Sequence, residues 1–363
     1  MITKLPDFSG RAGAIALAFA LLATVGAGPR ASADLVIDPV FGPETPTGRY
    51  KHPSTLTELD NGDLMIAYYG GGGEYEKETA VFGARRPQGE KEWTRPVVLA
   101  RNPMYSMGNP VLWQAPDHRV WLFFVVRPGE TWSTSRIGAK VSDDRGLTWS
   151  DTFMVTFDEG TMVRSRPIVL SDGQYLLPIY HETGADTEFT APDTGSVFLR
   201  YDPVARTWSR SEKVLSRMGN LQAAAVELEP GRLLALCRRG GDYSPGRDGF
   251  VVRTESSDGG RTWSPGIETD FPNPNASVEL IRLKSGALLF VYNHSMDERS
   301  PLRAVLSIDG GRTWPRRLDL ASGPGSFSYP TAVQTRDGTI HVTFTSDDRT
   351  VIRHARFEES DLK

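Results

Sequence analysis

A single cysteine, Cys237, stands among 363 residues, so no disulfide can form within the chain. Its place in an apolar run makes it a small buried hydrophobe rather than a reactive thiol. Basic residues are not in excess: the net charge is −4, and −6 for residues 34–363, which excludes a general basic surface for nucleic acid. Long apolar runs are missing after the first thirty-odd residues, so no later stretch is suited to span a bilayer. Metal-ligand spacing is missing as well. His52, His118, His181, His294, His341 and His354 are scattered at roughly one per repeat, and neither a metal nor a cofactor is expected.

One short apolar run does occur, Ala12 to Val25, preceded by Lys4 and Arg11 and followed by Ala31-Ser32-Ala33. Basic start, short apolar stretch and small-x-small ending together read as a secretory signal, residues 1–33, with Asp34 opening the mature part. The mature protein, 34–363, is expected to be secreted or periplasmic, free of the membrane and monomeric.

Within it a turn signal sounds six times. The copies carry Gly62, His118, Gly173, Gly231, Gly286 and Gly338 between short apolar strands, at steps of 56, 55, 58, 55 and 52 residues. Evenly spaced hairpins of this length mark a repeat architecture, and each unit has room for four short strands. The expectation is an all-β, six-bladed β-propeller filling 34–363. Leu35-Val36-Ile37 is expected to complete the blade that ends with Val351 to Phe357, so that no sheet edge stays free.

A second pattern runs in step with the first. Ser142 to Trp149, Ser256 to Trp263 and Ser307 to Trp314 share the form S-x-D-x-G-x-T-W, and weaker copies end at Trp93 and Trp208. Asp144, Asp258 and Asp309 fall at equivalent places on different blades and are read as turn-forming, with each tryptophan packing between blades. These boxes resemble the Asp-box (BNR) repeat of the sialidase superfamily, and the chain resembles that family over its whole mature length. The resemblance implies the six-bladed fold, with its site on the central axis.

In such a wheel each innermost strand opens at the channel mouth. The residues there are His52, Asn109, Arg166, Gln222, Ser277 and Tyr329, spaced by 57, 57, 56, 55 and 52, and all are polar. The ends of the second strands add Tyr69, Glu74, Arg127, Tyr180-His181-Glu182, Arg238-Arg239, Asn293 and Arg349. Arginines thus gather at the axis of an acidic protein, which suits a receptor for a planar carboxylate. The family resemblance implies three arginines on that carboxylate and a tyrosine nucleophile, placed here on Tyr329, with Arg238 and Arg299 as two of the three. Sialidases are an exception among glycosidases in using tyrosine. Three departures accompany this. Lys51-His52-Pro53 stands where the family has its first arginine motif, Gln222 where the tyrosine has a glutamate partner, and Glu74, with Glu78 behind it, where an aspartate handles protons.

The expectation is an exo-acting glycoside hydrolase of the exo-α-sialidase type that removes a sialic-acid-like or uronic acid residue from a glycan. Tyr329, His52 and Glu74 are its candidate catalytic residues. Arg166, Arg238, Arg299, Arg349, Asn109, Gln222, Tyr180 and Asn293 are the candidate substrate contacts. A polysaccharide lyase acting on uronates and a non-catalytic glycan-binding propeller stand as alternatives.

Overall fold

The computed structural model describes residues 35–185, 189–243 and 248–363. The segment read as a signal, 1–33, lies outside them, as do parts of the loops read at 184–195 and 240–249. Among the described residues the chain forms six antiparallel sheets arranged as a six-bladed propeller. Blade I is β2 (Tyr50–Glu58), β3 (Leu64–Gly71), β4 (Ala80–Arg86) and β5 (Val97–Ala100). Blade II is β6 (Ser106–Gln114) to β9 (Phe153–Met154), with β7 (Val120–Arg127) and β8 (Arg136–Ser142) between. Blade III is β10 (Thr161–Val163), β11 (Ile168–Val169), β12 (Tyr175–His181), β13 (Gly195–Asp202) and β14 (Thr207–Arg210). Blade IV is β15 (Asn220–Glu229), β16 (Arg232–Arg239), β17 (Phe250–Ser256) and β18 (Ile267–Pro272). Blade V is β19 (Glu279–Arg282), β20 (Leu288–Asn293), β21 (Leu302–Ser307) and β22 (Arg316–Ala321). Blade VI is β23 (Ser328–Gln334), β24 (Ile340–Ser346) and β25 (Val351–Phe357), completed by β1 (Val36–Phe41), which pairs antiparallel with β25. Strand β1 therefore joins the chain's two ends as the sequence suggests and covers an edge.

The second strands are apolar on both faces because both are covered. Val-Trp-Leu-Phe-Phe-Val-Val in β7 and Leu-Leu-Phe-Val-Tyr in β20 are buried almost throughout. Six hydrophobic clusters result, one at each blade–blade interface; the cluster that closes the ring packs Phe41, Val333 and Ile352 of blade VI against Leu56, Ile66 and Tyr68 of blade I. The hairpin turns behave as a glycine-or-substitute signal should. Gly62, Gly173 and Gly286 have φ between 82° and 89°, and His118 adopts the same left-handed region at 68°.

The boxes are turn locks. Asp258 Oδ1 accepts the amides of Arg261 and Thr262, both at 3.0 Å, and the hydroxyl of Ser256 at 2.9 Å. Asp144 and Asp309 repeat this pattern. Burial alone would raise the Asp258 carboxyl, but the donors around it hold it down at about 2. Each box also touches the preceding blade. Trp263 stacks on Phe198 with ring centroids 3.7 Å apart, and the carbonyl of Gly259 accepts from Arg200. Likewise Arg253 donates to Gly311 O at 2.8 Å, and Arg85 donates to Arg145 O. Gly260, at φ 82°, would place a Cβ 2.8 Å from Leu176 Cδ1 of the neighbouring blade.

Asp258→Ala should lower unfolding stability by about 1–3 kcal/mol through its orphaned amides. Gly260→Val should cost more, because a β-branched residue at positive φ also collides with Leu176. Thermal and urea unfolding check both, and equal stability of either variant would show that the boxes are not turn locks.

Candidate functional site

The innermost strands bulge at the same height in four blades. Register slips fall between His52 and Ser54, Gly108 and Val111, Leu221 and Ala224, and Ser328 and Thr331. A bulge inserts one extra residue and re-aims a side chain. Here Asn109, Gln222 and Tyr329 take φ of 40°, 53° and 57°, which is costly for residues with a side chain. Their side chains meet in one axial pocket together with Glu74, Tyr180, Glu182, Arg238 and Arg349.

Tyr329 lies at the floor of the pocket, 7% exposed. Arg238 donates to its phenolic oxygen at 2.8 Å, and the Arg238 and Arg299 guanidinium carbons lie 5.9 and 5.5 Å from its ring centre. Burial pushes the phenol up, but Arg238, Arg299 and Arg349 together outweigh burial and bring it below the ordinary tyrosine value. From beneath, the buried Arg164 donates to Thr331 Oγ1 at 3.0 Å and to the carbonyls of Tyr329 and Pro330 at 2.8 and 2.9 Å. That clamp runs from blade III across the channel to blade VI and fixes the left-handed residue.

The arginines are themselves held. Arg238 Nε donates to Asn275 Oδ1 at 2.6 Å, and its other nitrogens donate to Gln222 Oε1 at 3.2 Å and Tyr243 Oη at 2.8 Å. Arg299 donates to Asn275 O at 3.2 Å. Arg349 is salt-bridged to Glu74 and donates to Tyr50 Oη at 3.1 Å, while Tyr69 Oη donates to Glu74 Oε1 at 3.0 Å. On the opposite wall Tyr180 Oη accepts from Asn109 Nδ2 at 3.1 Å and Gln222 Nε2 at 3.4 Å. Beside it, burial pushes the Glu182 carboxyl up to about 7 against the downward pull of Arg238. At the rim Tyr75 and Trp132 meet at 5.7 Å, with Arg127 packed over both rings.

Of the candidate residues, Tyr329, Glu74, Arg238, Arg349, Asn109, Gln222 and Tyr180 line this pocket, and Arg299 reaches Tyr329. Two others do not belong to it. Arg166 lines a separate cavity beside Glu279, because the inner strand of blade III breaks between β10 and β11 at Arg164-Ser165-Arg166-Pro167 and the residue facing Tyr329 is Arg164. Asn293 is buried away from the pocket, with its amide donating to Phe327 O at 2.8 Å. His52 touches Tyr329 ring to ring at 4.1 Å, but burial and four arginines push its imidazole well below the ordinary value. Its imidazole is thus held neutral, bonded through Nδ1 to Thr345 Oγ1 at 3.0 Å. Lys51 directs its ammonium to Gly48 O at 2.6 Å, and Glu78 is exposed. Glu182 and Arg164 were not among the candidate site residues, although Glu182 stands at the end of a second strand, where the candidates were sought.

A family model described as the BNR repeat-like domain matches residues 62–342. The chain belongs to that family. No curated protein matches it in sequence. Among solved structures this BNR-repeat protein is similar to the Hadza microbial sialidase Hz136, at 18% identity over 90% of this chain and 69% of that one, with a TM-score of 0.74. It is similar to the intramolecular trans-sialidase from Ruminococcus gnavus at 16% identity over 89% and 98%, TM-score 0.74. It is also similar to a protein of unknown function from Dyadobacter fermentans DSM 18053 at 17% identity over 89% and 99%, TM-score 0.71. At these identities the likeness is one of fold, and the chemistry of this BNR-repeat protein rests on its own side chains.

One phenol should titrate below the others. With ring-labelled tyrosine, carbon NMR of the intact protein should show this early step, absent in Tyr329→Phe and moved upward in Arg238→Met. A Tyr329 that titrates at or above free tyrosine would contradict the arginine field.

Proposed function

We propose that this protein is a secreted, exo-acting glycoside hydrolase that removes a carboxylate-bearing sugar from a glycan. The observation that carries this reading is the meeting of Arg238, Arg299 and Arg349 around the phenol of Tyr329. Guanidinium groups bind carboxylates through paired, charge-assisted bonds, and a phenol is a neutral nucleophile for an anomeric centre that already bears a carboxylate. The Ruminococcus gnavus neighbour, solved with oseltamivir carboxylate, lends support from the same fold.

In this mechanism Tyr329 Oη bonds to the anomeric carbon as the glycosidic C–O bond breaks, and its proton leaves to solvent under the arginine field. Glu182, protonated near neutrality, gives its proton to the departing oxygen. Water then cleaves the sugar–tyrosine bond, with the Glu182 carboxylate taking the water proton and the departing Tyr329 phenolate recovering its own proton from solvent, which restores the starting state. Glu74 orients Arg349 and Tyr69 and sets the charge of that wall. The free space between these groups is about 40 Å³, little more than one water, so Tyr75 and Tyr243 at the rim must turn outward to admit a sugar ring.

Tyr329→Phe should reduce turnover about 1,000-fold or more while ligand affinity changes little. Glu182→Gln should reduce it by about 100-fold or more for poor leaving groups. Because the acid works protonated, wild-type activity should fall as pH rises through about 7, and that limb should vanish in Glu182→Gln. The assay is product release from sialylated and uronate-capped oligosaccharides. Ultraviolet absorbance from an unsaturated product would point to a lyase instead. Sugar binding without any product, unaltered by Tyr329→Phe, would point to a binding propeller.

A further inference from the structure

We propose that the far end of the axial channel is a second binding site, for a small organic monocarboxylate, built around Arg166. The inner strands run from the Tyr329 pocket toward the hairpin turns. Val226 lies four residues beyond Gln222 on β15, so this cavity sits roughly 13 Å further down the channel at about 3.3 Å per residue. Its volume is about 260 Å³, and blades III, IV and V wall it with Ser165, Arg166, Ile168, Val226, Glu279 and Leu280.

Two polar groups there make no hydrogen bond. Arg166 makes no hydrogen bond or ion pair among the described residues. Its neighbour Arg164 makes three bonds and Arg238 four, so an unsatisfied guanidinium sets Arg166 apart from the other axial arginines. Its half-buried nitrogens open onto the cavity, where an acceptor can reach them. Ser165 Oγ, on a residue 3% exposed, is likewise unpartnered and lines the same wall. A carboxylate seated on Arg166 would accept from its guanidinium, and from Ser165 after a rotation of that side chain.

The remaining chemistry selects the ligand class. Glu279 is buried, and burial raises its carboxyl against the pull of Arg166 and Arg164, which lessens its repulsion of an incoming anion. Ile168, Val226 and Leu280 form apolar sides that suit a short aliphatic or aromatic tail. The volume corresponds to roughly nine waters, which fits a monocarboxylate of about three to seven carbons. Arg282 also lines the cavity, but it donates to Glu227 O at 3.0 Å and the Glu227 carboxylate lines the cavity with it, so the cation cluster that a phosphate needs is not assembled. No group of His, Cys, Asp and Glu that could hold a metal occurs among the described residues.

The test uses the full mature protein carrying Arg238→Met, which disables the Tyr329 pocket as a carboxylate receptor. Binding of 4-fluorobenzoate is followed by fluorine NMR, with propionate as competitor and propionamide as control. The expected result is one saturable site, displaced by propionate and not by propionamide. Adding Arg166→Met should weaken it about 10-fold or more, and adding Ser165→Ala about threefold, a milder change that keeps the test decisive if the arginine variant does not fold. No binding in the Arg238→Met protein, displacement by propionamide, or unchanged affinity in both double variants would overturn the assignment. Because the Tyr329 pocket is already disabled, failure here leaves the glycosidase reading untouched.

Discussion

The structure turns on one strained residue, Tyr329, held with φ at 57° in a bulge of an inner strand. Left-handed backbone at a bulky residue costs of order 1–3 kcal/mol and persists only where surroundings over-determine it. Arg164 does so from the opposite side of the channel, through the carbonyls of Tyr329 and Pro330. The phenol is thereby aimed into the pocket rather than along the sheet, where Arg238 meets it. Without this backbone turn the arginines would surround nothing.

The rest of the wheel bears that strain. Six apolar interfaces bury the second strands on both faces, and three regular boxes lock their own turns while an arginine of the preceding blade caps each of them. Stability and chemistry are thus spatially separate: the carboxylates of the boxes lie in outer turns and form hydrogen bonds within them, whereas the axial carboxylates are few and the axial cations many. Arg238 and Arg299 face a phenol and amide groups instead of a carboxylate. A fold optimised for stability alone would neutralise such cations; keeping them positive holds a receptor ready for an anion once Tyr243 turns aside.

Much of this was legible in the amino-acid order because the architecture repeats. Turn signals at steps of 52 to 58 residues mark the blades, Leu35-Val36-Ile37 reads as the closing strand, and the S-x-D-x-G-x-T-W boxes read as turns. Counting to the head of each inner strand reaches Asn109, Gln222 and Tyr329, since these heads bulge at one common height. The same count lands on Arg166 in blade III, where Pro167 cannot donate to the ladder and the strand breaks, so Arg164 turns inward two residues earlier. Asn293 was misplaced for a related reason: a strand end near the mouth says nothing about which way an amide points. The raised carboxyl of Glu182 and the lowered imidazole of His52 arise from burial and from charges distant in sequence, which no local pattern encodes.

The most direct test of the arginine receptor is calorimetric titration of the wild-type protein with sialic acid and with a hexuronic acid, each compared with its methyl ester. Charge-assisted bonds of the kind seen here contribute about 1.5–3 kcal/mol each. The account predicts that at least one free acid binds about 100-fold more tightly than its ester, with that preference lost in Arg238→Met. Equal affinity of acid and ester, or no binding of either acid, would contradict it.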